Sequence, residues 1–506
     1  MQFVKVLLLI ILVSCTQLAI SQQKTYNITN YGAKFDLKIN NAASIQKAID
    51  AAAAGGGGKV LVPTGVYITG PIVLKNGVEL HLDDNAILMG SSKRLDYPND
   101  QLFVISARNQ KNIAITGNGI IDGNAHELMA DVFKLLRAGT IIDPEYLLKR
   151  PTERNRPEII SLVSCSNIVV KDITLKNSAS WVQDYTNCTD MLIDHIKVES
   201  TAYWNNDGID LTDCKNVKVS NSFINSADDG ICLKSSDKNS WCDHITITDC
   251  TIRSSASAFK LGTGSTGGFK NITARNLTIY DTYRSAIALE TVDGAFIDNV
   301  DIRNIIAKNT GNAIFIRLGH RNKDNRYGSI KHVYISDVKA DIPNAKPDIG
   351  YPIEGPAPKP LIQRNLTSAI IAGIPGHAIE DVTLENIEIT YGGGGSKNIA
   401  YVSTDSLNYV KENIPGYPEF TMFGEVPSYG LYVRHTDNIK LKNIKLLLAA
   451  DDFRPAFIFD DVKQVAIQGL SLPATTTLPA IILNHITGSS LKELNIPADN
   501  RSIKKQ

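Results

Sequence analysis

A repeated strand unit in the middle of the chain most strongly constrains its fold. The residues Asp207 to Leu211 read DGIDL, and Asp229 to Leu233 read DGICL, 22 residues later. A repeat at such a short period is typical of a solenoid, in which each coil stacks on the next. Equivalent residues of stacked strands lie about 4.8 Å apart. The repeat therefore predicts that Asp207 and Asp229 lie together, with Asp228 beside them.

A second pattern extends the solenoid over most of the chain. A polar pair followed by alternating aliphatic residues recurs from Lys111 onward, with steps of 23 to 28 residues between Ile168 and Val300. Each coil then holds several short strands, which predicts an all-β, right-handed parallel β-helix. An antiparallel sandwich would instead show hairpin turns every 8–12 residues or so. The recurring apolar positions are Ile113, Ile168, Met191, Val217, Ile245, Ile272, Val300, Val333, Val382, Ile439, Val465 and Leu494.

The remaining segments are predicted to cap and line the solenoid. Helical spacing over Asn41–Ala54, followed by four glycines, predicts an N-terminal helical cap. Long steps in the repeat predict loop insertions at 118–160, 343–375 and 392–430. Insertions on a solenoid often form the walls of a binding groove. We expect residues 22–506 to form one domain.

The N-terminus has the pattern of a secretory signal. Residues 1–21 contain Lys5, an apolar run from Val6 to Val13, and a small-residue site ending at Ser21. The residues before Cys15 also resemble a lipoprotein signal, so cleavage near Ser21 and lipidation of Cys15 both stay open. We expect an exported protein, whether periplasmic, attached to the outer membrane or extracellular, with no transmembrane segment.

Charge and cysteine content narrow the choice of partners. The 52 basic and 52 acidic residues balance, without the basic stripe typical of nucleic-acid binding. Nucleic acid is therefore set aside as a partner, and we expect a monomer. Four cysteines occupy one position of the repeat and predict a stack of buried thiols; they are Cys165, Cys188, Cys214 and Cys242. A disulfide between Cys242 and Cys250 stays open.

Strand alternation separates a buried face from an outer face in the central coils. The positions predicted to face inward are Ile209, Ile231, Phe259, Ile287 and Ile314. The positions predicted to face outward, as a substrate-binding patch, are Asp210, Lys234, Lys260, Glu290, Arg317 and Phe315. Trp204 is a candidate platform for a sugar ring, although a packing role is an equal alternative.

Asp207, Asp228 and Asp229 are the candidate catalytic residues. An aspartate at a turn often only caps the backbone, but three of them at successive coils favour chemistry. Two adjacent carboxylates repel each other, so one should have a raised pKa. A protonated carboxyl beside an ionised one is the arrangement that cleavage of a glycosidic bond requires.

These motifs resemble the polygalacturonase family, family 28 of the glycoside hydrolases. The resemblance rests on NNDGID and ADDGICLKS around the three aspartates, on YGAKFD near the start, and on GSTGGFKNI. It implies a right-handed β-helix and hydrolysis of a polysaccharide or oligosaccharide with inversion, with no metal or other cofactor. It also implies that Asp228 is the general acid, and that Asp207 and Asp229 activate water.

Two family motifs are missing from this chain. Ser257-Ala258 stands where the family has Gly-His-Gly, and Ala288-Leu289-Glu290 replaces the Arg-Ile-Lys that grips the sugar carboxylate. The sugar is then neutral, or its acid group is held by Lys260, Lys234 or Arg317. The insertions favour an exo mode. Two alternatives remain: a polysaccharide lyase with a lysine base and Ca²⁺, and a non-catalytic glycan-binding β-helix.

Overall fold

The computed structural model describes residues 23–147, 150–345, 365–398, 402–473, 479–496 and 503–505. The predicted signal peptide and Cys15 lie outside these residues. Within them the chain forms 31 strands, all joined in one sheet, and two α-helices. Every pairing between these strands is parallel, as in the pairs at Ile209–Ile231 and Ile231–Phe259. The predicted parallel β-helix is confirmed.

The two helices are α1, Ala42–Ala54, and α2, Ala125–Arg137. The strands β1 to β15 are Thr25–Asn27, Gly58–Val62, Gly65–Thr69, Ile72–Val73, Val78–Leu82, Ala86–Gly90, Phe103–Arg108, Lys111–Thr116, Ile120–Asp122, Glu158–Val163, Ser166–Lys171, Thr174–Lys176, Gln183–Thr186, Thr189–Asp194 and Lys197–Ser200. The strands β16 to β31 are Ile209–Thr212, Lys215–Ser220, Phe223–Ser226, Ile231–Lys234, Cys242–Thr248, Thr251–Ser254, Phe259–Leu261, Gly268–Thr291, Phe296–Leu318, Ser329–Ile342, Ala369–Ala372, Ile379–Tyr391, Leu431–Leu448, Phe457–Ser471, Ile481–Asn495 and Ile503–Lys505.

The predicted repeat matches the strand register almost throughout. Ile168 pairs with Met191, and the column continues through the later coils as far as Val465. The last position is wrong: Val465 pairs with Ser489, and Leu494 pairs with Leu470 in another column. The final coil keeps the alternating pattern but in a shifted register. An aliphatic residue such as Leu494 therefore does not by itself identify the column.

The polar pair of the repeat has a structural cause. Its second member lies in the left-handed region, with φ of +56° at Asn216, +55° at Asn271 and +58° at Asn299. Asparagine tolerates this conformation better than most residues. Its side chain also bonds to the coil before, since Asn299 Nδ2 donates to Asn271 Oδ1 at 2.7 Å. The polar pair of each repeat therefore forms the corner between two columns of strands.

The predicted interior is also present. The helical cap α1 buries Ile45 and Ile49 against the first coils. All six cysteines from Cys165 to Cys250 are buried and free, which excludes the disulfide between Cys242 and Cys250 in this structure. The thiols of Cys188, Cys214 and Cys242 donate to carbonyls of the preceding coil, as Cys214 does to Tyr185 O at 3.1 Å.

Two insertions pack on the outer face of the solenoid. α2 and the segment after it lie beside the corner that precedes Asp207, where Arg150 and Arg156 both donate to Asn205 Oδ1 at 2.8 Å. The segment 402–430 covers the outer face of the later coils through a second hydrophobic cluster that includes Phe315 and Phe420. Of the predicted insertion 343–375, residues 346–364 lie outside the described residues. The described insertions thus flank the central coils.

Candidate active site

The outer face of the central coils carries two polar columns. The first passes through the position of Asp207 and Asp229, because Gly208 N donates to Asp229 O at 2.8 Å and Gly230 N donates to Ser257 O at 2.8 Å. The second passes through the pairs Asp184–Asp210, Asp210–Cys232 and Cys232–Lys260. Inward side chains of the strands in the second column belong to the core, so alternation places the polar groups of that column on the opposite face. Asp207 and Asp229 lie at the corners just before strands β16 and β19.

The three candidate catalytic aspartates are close together. One carboxylate oxygen of Asp207 and one of Asp229 lie within 4.8 Å of each other. Asp228 Oδ1 accepts a hydrogen bond from Asp229 N at 2.9 Å. Their residues are 4%, 7% and 4% exposed in chain order, so the cluster is largely shielded from solvent. The structure therefore brings together the residues that the repeat predicted to meet.

Two lysines neutralise part of this negative charge. Lys234 Nζ donates to Asp210 Oδ1 and to Asp207 Oδ2, the latter at 3.3 Å. Lys260 Nζ donates to Asp229 Oδ2 at 2.9 Å. Burial lowers the pKa of Lys260, but Asp229, Tyr417 and Glu290 outweigh that effect and raise the pKa well above the usual lysine range. Both ammonium groups thus act as fixed positive charges inside the cluster, since the pKa of Lys234 is raised in the same way, by Asp210 and Asp207 against the effect of burial.

The aspartates differ in their tendency to hold a proton. Burial raises the pKa of Asp207 well above its usual value. Lys234 lowers this pKa, but the neighbouring carboxylates of Asp210, Asp228 and Asp229 raise it further. Burial also acts on Asp229, but Lys260 and Arg284 more than offset it, and the pKa of Asp229 is lowered. Two neighbouring carboxyls of the cluster thus differ in their affinity for a proton.

Glu290 is a further buried acid beside the cluster. Its Oε2 lies 3.8 Å from Lys260 Nζ and has no hydrogen-bond partner among the described residues. Burial raises the pKa of Glu290 to about 7, against the opposing charge of Lys260. This residue occupies the place of the family's second cation, and the local charge is correspondingly less positive.

A metal ion has potential ligands here. Atoms of Asp207, Asp229 and Cys232 lie within 4.8 Å of one another, the only such group found in the described part of the chain. The ammonium groups of Lys234 and Lys260 already hydrogen-bond to these two carboxylates and supply positive charge. The arrangement is that of an ion-pair cluster, and the expectation that no metal is needed stays a prediction.

Trp204 does not face an open groove. Its residue is 2% exposed, its carbonyl accepts from Arg156 Nη1 at 2.6 Å, and the Arg150 guanidinium lies 5.9 Å from its ring centroid. The segment after α2 covers it. The structure therefore favours the packing alternative for Trp204 over the sugar platform.

Arg317 and Phe315 are also removed from the predicted patch. Arg317 is fully buried, and its Nη2 donates to Glu412 O at 2.7 Å. Phe315 belongs to the hydrophobic cluster beneath segment 402–430. Strand alternation correctly placed both on the outer face, but the insertion then covered that face. Arg317 thus anchors the insertion, and segment 402–430 covers the outer face at its coil.

Two aromatic residues near the lysines were missed as site residues. Trp181, half-buried, has its ring centroid 4.4 Å from Lys234 Nζ. Tyr417, 44% exposed, has its ring centroid 5.6 Å from Lys260 Nζ. Extending the repeat back by one coil would have placed Trp181 in the column of Asp207. No local signal in the sequence connects Tyr417 to the site, since 157 residues separate it from Lys260.

The acidic column also extends one coil further than predicted. Burial and the carboxylate of Asp210 raise the pKa of Asp184 to about 7. Burial, Asp184 and Asp210 likewise raise the pKa of Glu158 well above its usual value. These acids lie on the N-terminal side of the three aspartates.

The parallel β-helix and the cluster of carboxylates are typical of enzymes that cleave glycosidic bonds with a pair of carboxylates. The chain belongs to the glycosyl hydrolases of family 28, whose family model matches residues 55–346, more than half of the chain. Its fold is the right-handed β-helix of the polygalacturonases. The missing His and Arg-Ile-Lys motifs make it a divergent member.

Individual relatives agree with this assignment. The exo-poly-α-D-galacturonosidase of Dickeya chrysanthemi is 28% identical over 251 residues, which cover 41% of this chain and 41% of that protein. A probable polygalacturonase of Vitis vinifera is 23% identical over 61% of this chain and 59% of its own length. The chain thus spans about half the length of these two curated relatives. A hyperthermoactive exopolygalacturonase from Thermotoga maritima shares the fold, with a TM-score of 0.60 and 20% identity over 84% of this chain and 92% of that chain.

Proposed function

We propose that this protein is an exported, monomeric glycoside hydrolase that cleaves pectin-like or related plant or algal polysaccharides with inversion. The observation that carries the proposal is the pair of carboxylates from successive coils, Asp207 and Asp229, within 4.8 Å of each other and adjoining Asp228. The similarity to galacturonan-cleaving enzymes supports the substrate class.

The proposed reaction needs no cofactor. Asp228 gives its proton to the glycosidic oxygen as the bond from that oxygen to the anomeric carbon breaks. A water molecule attacks the anomeric carbon from the opposite face and gives its proton to Asp229, which Lys260 keeps ionised. Asp207 orients the water through Oδ1, which has no protein partner among the described residues. The products are two sugars, with Asp228 left ionised and Asp229 protonated. A proton passes from Asp229 to Asp228 through solvent water before the next turnover.

The roles of acid and base can be separated by the leaving group. An Asp228→Asn variant should lose more than about a thousandfold of its activity on a polysaccharide. Its activity should recover on an aryl glycoside, whose leaving group needs no proton. An Asp229→Asn variant should lose activity on both substrates. If Asp207→Asn, rather than Asp228→Asn, is the variant that recovers, then Asp207 is the acid, and the assignment fails.

We further propose cleavage from a chain end. The segment after α2 lies against the corner before Asp207, and segment 402–430 covers the outer face from the coil of Phe315 onward. A groove limited on both sides admits a terminus more readily than the middle of a polymer. Release of only mono- or disaccharides from a long polygalacturonan at early times would agree with this mode, and a ladder of products would contradict it.

The lyase alternative is disfavoured by the charge state of its candidate base. A lyase needs a neutral amine, but Lys260 is held protonated by Asp229, Tyr417 and Glu290, which raise its pKa well above the usual range despite burial. Product analysis separates the two reactions. A lyase would create an unsaturated sugar that absorbs ultraviolet light and would be stopped by EDTA, whereas we expect neither effect.

Export is also part of the proposal. None of the helices in the described part of the chain has the length and apolar composition to cross a membrane. Mass analysis of the mature protein should give an N-terminus near residue 22, or a lipid on Cys15. A mature protein that begins at Met1 in the cytoplasm would exclude export.

A further inference from the structure

Each lysine of the site lies against one aromatic ring. Lys234, which pairs with Asp207 and Asp210, is 4.4 Å from the ring centroid of Trp181. Lys260, which pairs with Asp229, is 5.6 Å from the ring centroid of Tyr417 and 3.5 Å from its hydroxyl. The acids between the lysines are buried, whereas both rings remain partly exposed. Both rings are therefore accessible at this site, as is Lys234, whose side chain is 20% exposed.

Trp181 lies on the N-terminal side of the aspartates. Val182 N donates to Asp207 O at 2.9 Å, in the same way that Gly208 N donates to Asp229 O at 2.8 Å. This register places Trp181 one coil before Asp207 in the same column, which is about 4.8 Å away along the solenoid. The ring thus adjoins the point where the aspartates meet.

Tyr417 lies on the C-terminal side and comes from the insertion. Arg284 and Arg321 lie 5.6 Å and 5.7 Å from its ring centroid, so three cations including Lys260 surround it. Attraction between a cation and an aromatic ring is worth about 0.5–2 kcal/mol, more where water is excluded. These contacts hold Tyr417 in place although it sits on a loop.

The two rings bracket the three aspartates. From the coil of Trp181 to the coil of Lys260 there are three strand spacings, roughly 14 Å in total. That length accommodates sugar units on both sides of one glycosidic bond. An aromatic ring offers a flat apolar face to the C–H groups of a sugar, while the buried acids and the two lysines between the rings act on the bond.

We propose that Trp181 and Tyr417 are the platforms on which the two sugar rings flanking the scissile bond stack, Trp181 on the side of Asp207 and Tyr417 on the side of Asp229. This assignment rests on the proposed function and adds the residues that bind its substrate. It also explains how a site that lacks the family's Arg-Ile-Lys motif holds a glycan.

The experiment measures hydrolysis and binding of oligogalacturonides of defined length. Trp181→Ala and Tyr417→Ala should each raise KM about tenfold or more, and should weaken binding by a similar factor in an Asp228→Asn background. Trp181→Phe and Tyr417→Phe retain a ring and should stay within about threefold of the parent. Circular dichroism and Tm verify that each variant is folded.

The chain offers a matched control for each platform. Trp241→Ala removes another tryptophan beside a lysine, since Lys215 lies 4.7 Å from its ring, but outside the columns of the aspartates. Tyr409→Ala removes a tyrosine of the same insertion that is 75% exposed. Both should leave KM unchanged.

The outcomes are separable. If the parent cleaves the substrate but Trp181→Ala and Tyr417→Ala have the same KM as their controls, the two rings are not platforms. The proposed function would still stand. Phenylalanine variants as weak as the alanine variants would also overturn stacking as the cause. If the wild-type protein neither binds nor cleaves oligogalacturonides, the proposed function on this substrate falls and the platforms fall with it.

Discussion

The aspartates of the cluster have the same side chain but different neighbours. Asp229 Oδ2 accepts from Lys260 Nζ at 2.9 Å, and its Oδ1 accepts from Ser257 N at 3.0 Å. Asp207 shares its lysine with Asp210 and keeps one oxygen without a protein partner among the described residues. Hydrogen bonds to the charged form favour it, whereas burial among like charges disfavours it. Position in the column therefore decides which aspartate stays ionised.

Removing Lys260 should change the pH profile. In Lys260→Met the burial of Asp229 is no longer offset by its main opposing charge, so its pKa should rise by about one unit or more. The base then needs a higher pH to be ionised. The acidic limb of kcat/KM should move upward by that amount, measured on oligogalacturonides between pH 3 and 8.

A surface lysine provides the comparison for this variant. Lys445 pairs with Glu388 at 3.0 Å and is half exposed, so such a pair should contribute little. Lys445→Met should keep the parental profile. An unchanged acidic limb in Lys260→Met would show that Lys260 does not control the base.

Glu290 should make the folded protein less stable as pH rises. Its pKa is raised from 4.5 to about 7 by burial, so the folded state binds the proton more tightly than the unfolded state does. The favourable contribution is complete below about pH 4.5 and is lost as pH rises through about 7. Glu290→Gln should remove this loss, which is at most about 3 kcal/mol. Urea unfolding at pH 5 and pH 8 measures it.

The contrast with an exposed acid makes the result specific. Glu388 is paired at the surface by Lys339 and Lys445. Glu388→Gln should leave the difference between pH 5 and pH 8 as in the parent. If Glu290→Gln also leaves it unchanged, then Glu290 is not a buried acid of raised pKa.

Among the structural elements, the asparagine corners should contribute to the free energy of unfolding through their left-handed backbone conformation. Asn299 has φ of +58° and donates to Asn271 Oδ1 at 2.7 Å. Asn299→Ala adds left-handed strain of roughly 1–2 kcal/mol and loses a hydrogen bond worth about 1 kcal/mol. Asn299→Gly loses only the hydrogen bond. Guanidinium unfolding should therefore rank the parent above glycine and glycine above alanine, and equal losses would contradict the role of backbone strain.

The insertion that carries Tyr417 is held by a charged latch. Glu412 Oε1 forms an ion pair with Arg434 Nη2 at 2.9 Å and lies 3.0 Å from His435 Nε2, while His435 Nδ1 is 2.6 Å from Asp461. Burial lowers the pKa of His435, but Glu412 and Asp461 together raise it above its usual value despite the nearby Arg434. Protonated His435 thus ties the insertion to the later coils.

This latch should weaken at alkaline pH. Because the folded pKa of His435 is raised, its contribution is complete below about pH 6.5 and is lost as pH rises through the higher folded value. Hydrogen exchange of residues 405–425, corrected for the intrinsic rate, should show less protection at pH 9 than at pH 6. His435→Gln should abolish that difference, whereas His332→Gln, whose parent residue is exposed and pairs with Asp298 elsewhere, should keep it. Equal protection from exchange at both pH values would contradict a role of protonated His435 in holding the insertion.

At the scale of the whole molecule, the solenoid stabilises itself without covalent links in the described residues. Each coil buries its inner face against its neighbours, and the six buried cysteines are free. Burial raises the pKa of Cys242 to about 12 and that of Cys250 to about 11. Because the thiolate is the reactive form, these thiols should be inert in the folded protein.

A thiol titration checks this. DTNB should label these six cysteines only after unfolding, and dithiothreitol should leave Tm unchanged. A Cys242→Ala and Cys250→Ala double variant should respond to dithiothreitol as the parent does. A fall in Tm of several degrees on reduction of the parent alone would show that this pair forms a disulfide.

The solenoid, the column register as far as Val465 and the meeting of Asp207 with Asp229 could all be predicted from the sequence alone. These features are local and periodic: each coil repeats the same turn chemistry, so the spacing of two aspartates along the chain sets their distance across coils. The same alternation predicted the outward direction of Asp210, Lys234 and Lys260.

Only the tertiary structure decided which outward residues a substrate can reach. Arg317 follows the same alternation and Trp204 lies at the corner before β16, but insertions cover both, while Tyr417 enters the site from 157 residues beyond Lys260. The path of an insertion depends on long-range packing, such as Phe420 against Phe315, and that packing has no period in the sequence. The physical reason is that strand register is set by neighbours one coil away, whereas the walls of the groove are set by contacts between distant segments.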